Sequence, residues 1–198
     1  MGNGHADNRV QGRATGETVM PSSTFAAIGP IMAAIEKIKP TSVLDVGCGN
    51  GKYGFLCREY IEYWLQKTPI IHGIEVFAPY VTKLERQKIY DGIFKSEAID
   101  ELEYMGSNSY DVVLAIDILE HFNEEDGKQF IKELKRVGKN VIICTPTIVK
   151  EQGACFGNKY EIHKKQWTPD EIEQDGQNRQ VFIGRENFTI VVITEQNK

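Results

Sequence analysis

The sequence predicts an α/β fold: a doubly wound, mostly parallel sheet closed by a C-terminal antiparallel hairpin. Three observations predict it. Between residues 43 and 144, apolar runs of strand length alternate with stretches whose apolar positions recur at helical spacing, the rhythm of a parallel sheet. The first run, Val43-Leu44-Asp45-Val46, empties into Gly47-Cys48-Gly49-Asn50-Gly51 and then into a helical segment. The last two runs, 180–183 and 188–194, face each other across Gly184-Arg185-Glu186-Asn187, which leaves room for a turn and not for a helix.

Residues 1–22 are rich in Gly, Asn, Thr and charge, with almost nothing to bury, and are expected to form a mobile tail; residues 23–198 are expected to form one domain. Thr24 caps a helix whose apolar positions are Phe25, Ile28, Ile31, Met32, Ile35 and Ile38, and Pro40 stops it. Beyond the glycines, Tyr53, Phe55, Leu56, Tyr60, Ile61 and Trp64 mark the next helix. Residues 70–76 form a second strand carrying Glu75 at its end. Pro79 sits in the first turn of a helix over 79–89, where its missing N–H costs little. Asp91-Gly92 turns the chain into a short third strand, 93–97, and 104–109 is a polar loop. The fourth strand, 111–116, is apolar almost throughout, as a strand covered on both faces must be. Asn123 caps a helix that runs to Val137 and ends at Gly138, and 141–144 is the fifth strand. Residues 145–167 are long and irregular, a pattern common in functional loops. Thr168-Pro169-Asp170-Glu171 then opens a short helix, with Thr168 as cap.

At 198 residues, 41% hydrophobic and 26% charged, the chain has the makings of one well-filled core. A net charge of −5 argues against a general nucleic-acid or anionic-membrane binder. Cys48, Cys57, Cys144 and Cys155 are scattered without a C-x-x-C pair, and read as reduced thiols. With no secretory apolar segment and no apolar run of about eighteen residues, the expectation is a cytoplasmic protein without a membrane partner, monomeric or homodimeric.

A strand that passes through glycines into a helix N-terminus brings a ligand against bare backbone N–H groups. Dinucleotides and S-adenosylmethionine both use the device. The dinucleotide pattern G-x-G-x-x-G fails from Gly47, where Lys52 takes the third place, and succeeds from Gly49 through Gly51 and Gly54. In that register Asp45 lies inside the strand, where a dinucleotide has no use for it. S-adenosylmethionine carries an ammonium that such an acid can reach.

The run Val43 to Gly51 resembles motif I of the class I S-adenosylmethionine-dependent methyltransferases, D-x-G-x-G-x-G. Asp111 to Phe122, a hydrophobic strand running into Asp117-Ile118-Leu119-Glu120-His121, resembles the family's later motif. The resemblance covers residues 25–194. It implies the Rossmann-like methyltransferase fold, with seven strands and the last inserted antiparallel. It also implies S-adenosylmethionine as cofactor and S-adenosylhomocysteine as product. Carried over, it places Asp45, Gly47, Cys48 and Gly49 along the methionine portion and Glu75 on both ribose hydroxyls. Val76 lies on the adenine, Glu97 and Ala98 meet the adenine edge (with Asp100 competing), and Asp117 closes the site near the amine. Ligands of open α/β sheets sit at these carboxyl ends of the strands.

Methyl transfer from a sulfonium is an in-line displacement. Orientation supplies on the order of 7–11 kcal/mol of the barrier, and a general base adds roughly 10²–10⁴-fold. His121, just past the fourth strand, is the candidate base, as in related small-molecule O-methyltransferases. His163 precedes Trp167-Thr168 by four residues. Asp117-x-x-Glu120-His121 followed by His163-x-x-x-Trp167-Thr168 is similar to the small-RNA 2′-O-methyltransferases, in which two carboxylates and two histidines hold a divalent metal. Asp117, Glu120, His121 and His163 are the metal candidates on that resemblance. The match departs at Asp117, where that family has Glu, and in a shorter loop before His163. His121 and His163 are the catalytic candidates. The expected activity is methylation of a hydroxyl, less readily an amine, on a small metabolite or sugar-like acceptor, with no nucleic-acid partner. The alternatives are metal-assisted RNA 2′-O-methylation and a non-catalytic S-adenosylmethionine-binding module.

Overall fold

The computed structural model describes residues 23–148, 151–154, 157–173, 179–184 and 188–194, the stretch 179–184 by its backbone alone. The expected tail, Cys155 and the turn residues 185–187 lie outside the described residues. Seven strands form one sheet in the order β3-β2-β1-β4-β5-β7-β6. They are β1 (Ser42–Val46), β2 (Ile70–Ile74), β3 (Gly92–Phe94), β4 (Tyr110–Ile116), β5 (Gly138–Pro146), β6 (Arg179–Gly184) and β7 (Phe188–Thr194). Strands β1 to β5 pair in parallel, whereas β7 is inserted antiparallel between β5 and β6.

Among the described residues, six α-helices cover the sheet: α1 (Ile28–Ile38), α2 (Lys52–Glu59), α3 (Ala78–Gln87), α4 (Ala98–Tyr104), α5 (Glu124–Val137) and α6 (Pro169–Ile172). Successive strand residues point to opposite faces, so the core divides in two. Val43, Ile71, Val112, Leu114 and Ile142 pack with Ile31 and Ile35 of α1, Cys57 of α2 and Leu84 of α3. Leu44, Val46, Val113, Ala115 and Ile143 pack with Leu102 of α4, Phe130 and Leu134 of α5 and Ile172 of α6. Residues of β4 feed both clusters, which is why that segment reads as a continuous apolar run.

The caps fall where the side chains dictate. Asn123 accepts from the Asp126 N–H at the start of α5, and Thr168 and Glu171 form a reciprocal capping box on α6. Thr24 accepts from the Ala26 N–H, opening a 3₁₀ turn that leads into α1. Two segments differ from expectation. The third strand ends at Phe94 rather than continuing to residue 97, because Glu97 is the N-terminal boundary of α4. The acids Asp100 and Glu101 in the first turn of α4 favour a helix start there. At the end of α2 the helix widens into a π turn, Tyr60–Trp64, in which the Leu65 N–H donates to the Tyr60 carbonyl.

Beneath the glycine turn lies a contact that explains one of its glycines. Tyr90, 9% exposed, slides its ring under the turn and donates its hydroxyl to Asp45 Oδ2 at 2.6 Å. A Cβ on Gly54 would stand 2.3 Å from Tyr90 Cζ. Gly54, the glycine that completes the dinucleotide-like spacing, therefore makes room for a tyrosine ring of the protein itself. Gly54→Ala should lower stability by about 1–3 kcal/mol, the usual cost of overpacking a filled site. Chemical denaturation checks this; the penalty should shrink below about 1 kcal/mol in a Tyr90→Leu background, as coupled neighbours require.

Candidate active site

The sheet register sets the site. Val46 pairs with Ile74 on one side and with Ala115 on the other. The residues just beyond, Gly47, Glu75 and Asp117, thus emerge side by side at the carboxyl ends of β1, β2 and β4, where the strand order reverses.

Two cavities open there. The larger, about 330 Å³, is lined among others by Asp45, Gly47, Cys48, Gly49, Lys52 and Asp117, with Glu120, His121 and His163 on its far side. The smaller, about 90 Å³, is lined by Glu75, Val76, Ser96, Ala98, Ile118 and Tyr160. These places suit the methionine and adenosine ends of one extended ligand.

Glu75 is buried, and its two oxygens accept from the Gly49 and Phe77 N–H groups, each at 2.8 Å. Burial holds its carboxyl above the usual range, and those N–H groups pull the other way. It is locked between the glycine turn and the start of α3, with its carboxylate against the smaller cavity. Asp45 is buried as well; desolvation pushes its pKa up to about 6, opposed by the Tyr90 hydroxyl and the Gly54 N–H. Spacing placed Asp45 near the ligand ammonium but could not show that Tyr90 holds it from below.

Asp117 is half-buried at φ +50°, a left-handed backbone conformation uncommon outside glycine. Its N–H donates to the Cys144 carbonyl at 2.8 Å, so the turn after β4 is anchored to β5. Burial raises its pKa to about 6, opposed by the Lys52 ammonium. Lys52, which sequence reasoning overlooked, donates to the Ser23 carbonyl at 2.6 Å and joins the chain ahead of α1 to the cavity wall. Its position at the first turn of α2, two residues past Asn50, was the available signal.

The adenine side departs from expectation at one residue. Glu97 is exposed and lies beside the Tyr160 phenol, whose pKa it raises, while its neighbours Ser96 and Ala98 line the smaller cavity. The cause is α4, a helix the sequence did not announce, which has Glu97 at its N-terminal boundary.

The acceptor side is a compact group. Glu120, 1% exposed, sits in the 3₁₀ turn Leu119–His121 and accepts from the Thr145 hydroxyl at 3.3 Å. Desolvation, reinforced by Asp117, pushes its carboxyl well up. Its carbonyl accepts from the Lys164 and Lys165 N–H groups, which draws the loop bearing His163 over the site. The rings of His121 and His163 lie 5.2 Å apart. Desolvation lowers the His121 pKa to about 4, partly offset by its bond to the Ile162 carbonyl. One ligand atom from each of Glu120, His121 and His163 lies within 4.8 Å of the other two. Asp117, the fourth metal candidate, is outside that group. No helix among the described residues is long and apolar enough to cross a membrane.

A doubly wound sheet with β7 inserted antiparallel between β5 and β6 is the Rossmann-like methyltransferase fold. Residues 43–140 match the sequence model of the methyltransferase domain family, and over that span the chain is similar to the class I S-adenosylmethionine-dependent methyltransferases. An uncharacterised protein of Methanocaldococcus jannaschii is 27% identical over 158 residues, 77% of this chain; the chain spans 61% of that relative's length. Among solved structures, an S-adenosylmethionine-dependent methyltransferase from Archaeoglobus fulgidus aligns with TM-score 0.64 and 16% identity over 84% of this chain and 92% of its own. The methyltransferase domain of a bacterial Hen1 aligns with TM-score 0.59 and 22% identity over 85% of this chain and 97% of its own. At these identities the structural likeness speaks for the fold. Residues 43–140 are thus a methyltransferase domain.

Proposed function

We propose that the protein methylates a hydroxyl of a small, sugar-like acceptor, with His121 as the base. The observation that carries this is the Nδ1 atom of His121, 3.2 Å from the Ile162 carbonyl oxygen. A carbonyl only accepts, so Nδ1 holds the proton, and the neutral ring keeps its lone pair on Nε2. As the acceptor oxygen took up the methyl group that a bound cofactor would supply, His121 Nε2 would receive the hydroxyl proton. The cofactor supplies the methyl group and its leaving group. The chain's residues orient the partners, and Glu120 and the His163-bearing loop flank the acceptor's place. Asp45, Gly47, Cys48 and Gly49 attend the methionine end, Glu75 the ribose, and Val76 and Ala98 the adenine. A cavity of about 330 Å³ that must also house the methionine end favours a small acceptor.

One observation favours a second reading, the Glu120–His121–His163 group itself. Its mixed nitrogen and oxygen donors suit Mn²⁺, Mg²⁺ or Zn²⁺. A metal held there would polarise the acceptor oxygen, as in methylation of an RNA 2′-hydroxyl. A screen of polyols, sugars, amines and short RNAs for S-adenosylhomocysteine release separates the two. Turnover is expected with hydroxylated small molecules; turnover confined to RNA would replace the first reading by the second, and turnover confined to amines would remove both.

A further inference from the structure

The two cavities share five lining residues: Gly47, Gly49, Asp117, His121 and Glu161. These mark where the cavities meet. S-adenosylmethionine joins its methionine to its adenosine at one atom, the sulfonium sulfur, which is also its reacting centre. A cofactor with one end in each cavity places that sulfur at the junction. Of the five shared residues, two are glycines and one is the candidate base. The other two are carboxylates.

We propose that Asp117 and Glu161 form an anionic collar around the sulfonium, and that Glu161 determines the enzyme's preference for charged cofactor over neutral product. The proposal rests on assigning the two cavities to the two ends of the cofactor. The carboxylates come from different parts of the fold. Asp117 is fixed to the sheet through the Cys144 carbonyl. Glu161 ends the 3₁₀ turn Lys159–Glu161 in the connection between β5 and α6. That turn is held locally: Asn158 Nδ2 donates to Glu161 Oε1 at 3.3 Å, and Gln152 Nε2 donates to the Glu161 carbonyl at 2.8 Å. Lys52, the one lysine among the described residues lining either cavity, borders the larger and acts electrostatically on Asp117 but not on Glu161. Its ammonium is engaged with Ser23.

The reaction removes the charge that the collar recognises. When the C–S bond breaks, its electron pair neutralises the sulfur, and S-adenosylhomocysteine leaves both carboxylates facing a neutral thioether. Attraction between unit charges a few ångströms apart at a partly exposed site exceeds thermal energy severalfold. The product is thus held less tightly than the cofactor. The Glu161-bearing loop is the member of the collar not built into the sheet.

The test is calorimetry on the full chain with S-adenosylmethionine, S-adenosylhomocysteine and sinefungin, which carries an amine in place of the methylsulfonium. The wild type is expected to bind the two cationic ligands more tightly than S-adenosylhomocysteine. Glu161→Gln, which keeps an acceptor for Asn158, should weaken both cationic ligands about tenfold and S-adenosylhomocysteine by less than about twofold. Glu161→Ala should show the same selectivity, which keeps the test decisive if one variant folds poorly. Parallel weakening of all three ligands in both variants would reduce Glu161 to a structural strut of the loop and overturn the proposal. So would unchanged binding throughout. A wild type that binds none of the three would overturn the cofactor assignment and, with it, the collar.

Discussion

Gly49→Val should weaken binding of S-adenosylmethionine and S-adenosylhomocysteine by more than about 10³-fold, or about 4 kcal/mol, in a chain that still folds. Gly49 stands at φ +53°, and nothing but the Gly47 carbonyl oxygen, 3.9 Å away, comes within 4 Å of a Cβ built there. The space beside it belongs to both cavities. A valine there would project toward the space the two cavities share, the volume proposed for the junction of methionine and adenosine. The left-handed backbone costs a side chain about 1–2 kcal/mol, so unfolding experiments should show a modest loss of stability beside a near-complete loss of affinity. The Gly49 N–H also donates to Glu75, so displacing this turn disturbs the carboxylate assigned to the ribose. Calorimetry with S-adenosylhomocysteine checks the result. Affinity within tenfold of wild type would mean that the cofactor does not approach the turn as placed here.

Much of this site was legible because it sits at strand ends, where one residue type in one register has one destination. Val43 to Val46 declare a buried strand, Gly47 and Gly49 a close approach, and Glu75 and Asp117 acids at neighbouring strand ends; the sheet order then brings them together. Glu97 was misplaced because the end of a three-residue strand cannot be told from the start of a helix by periodicity. Helix α4, only seven residues long, offers too few turns for its pattern to stand out. Tyr90 and Glu161 were illegible for another reason. Their roles arise from contacts across the fold, a ring under Gly54 and a carboxylate at the junction of two cavities, and no local spacing encodes such contacts. The three-residue cluster lies between. Glu120-His121 and His163 carry a recognisable spacing, but only the fold separates them from Asp117.

His121→Ala should lower kcat by roughly 10²-fold or more, with cofactor affinity held within about twofold, if the imidazole is the base. The expectation follows from the Ile162 carbonyl, which fixes the proton on Nδ1 and leaves Nε2 to receive one. His163→Ala should then cost less, since His163 acts by shaping the acceptor's place. Desolvation sets the His121 pKa at about 4, depressed from its ordinary 6.5, so the neutral base persists as pH falls through 6.5. Loss of kcat on the acid side should accordingly appear as pH approaches about 4. The metal path makes opposite demands. With Glu120, His121 and His163 as ligands, both histidine variants fail alike, chelator silences the wild type, and Mn²⁺ or Mg²⁺ restores it. Protons also compete with a metal for imidazole, so added metal would move the acid limb, which it cannot do for a simple base. An EDTA-resistant wild type with an inactive His121→Ala and an active His163→Ala is the expected result. Chelator-sensitive turnover with both variants inactive would assign the same three side chains to a metal. Full activity in both variants would leave orientation by the two cavities as the source of the rate.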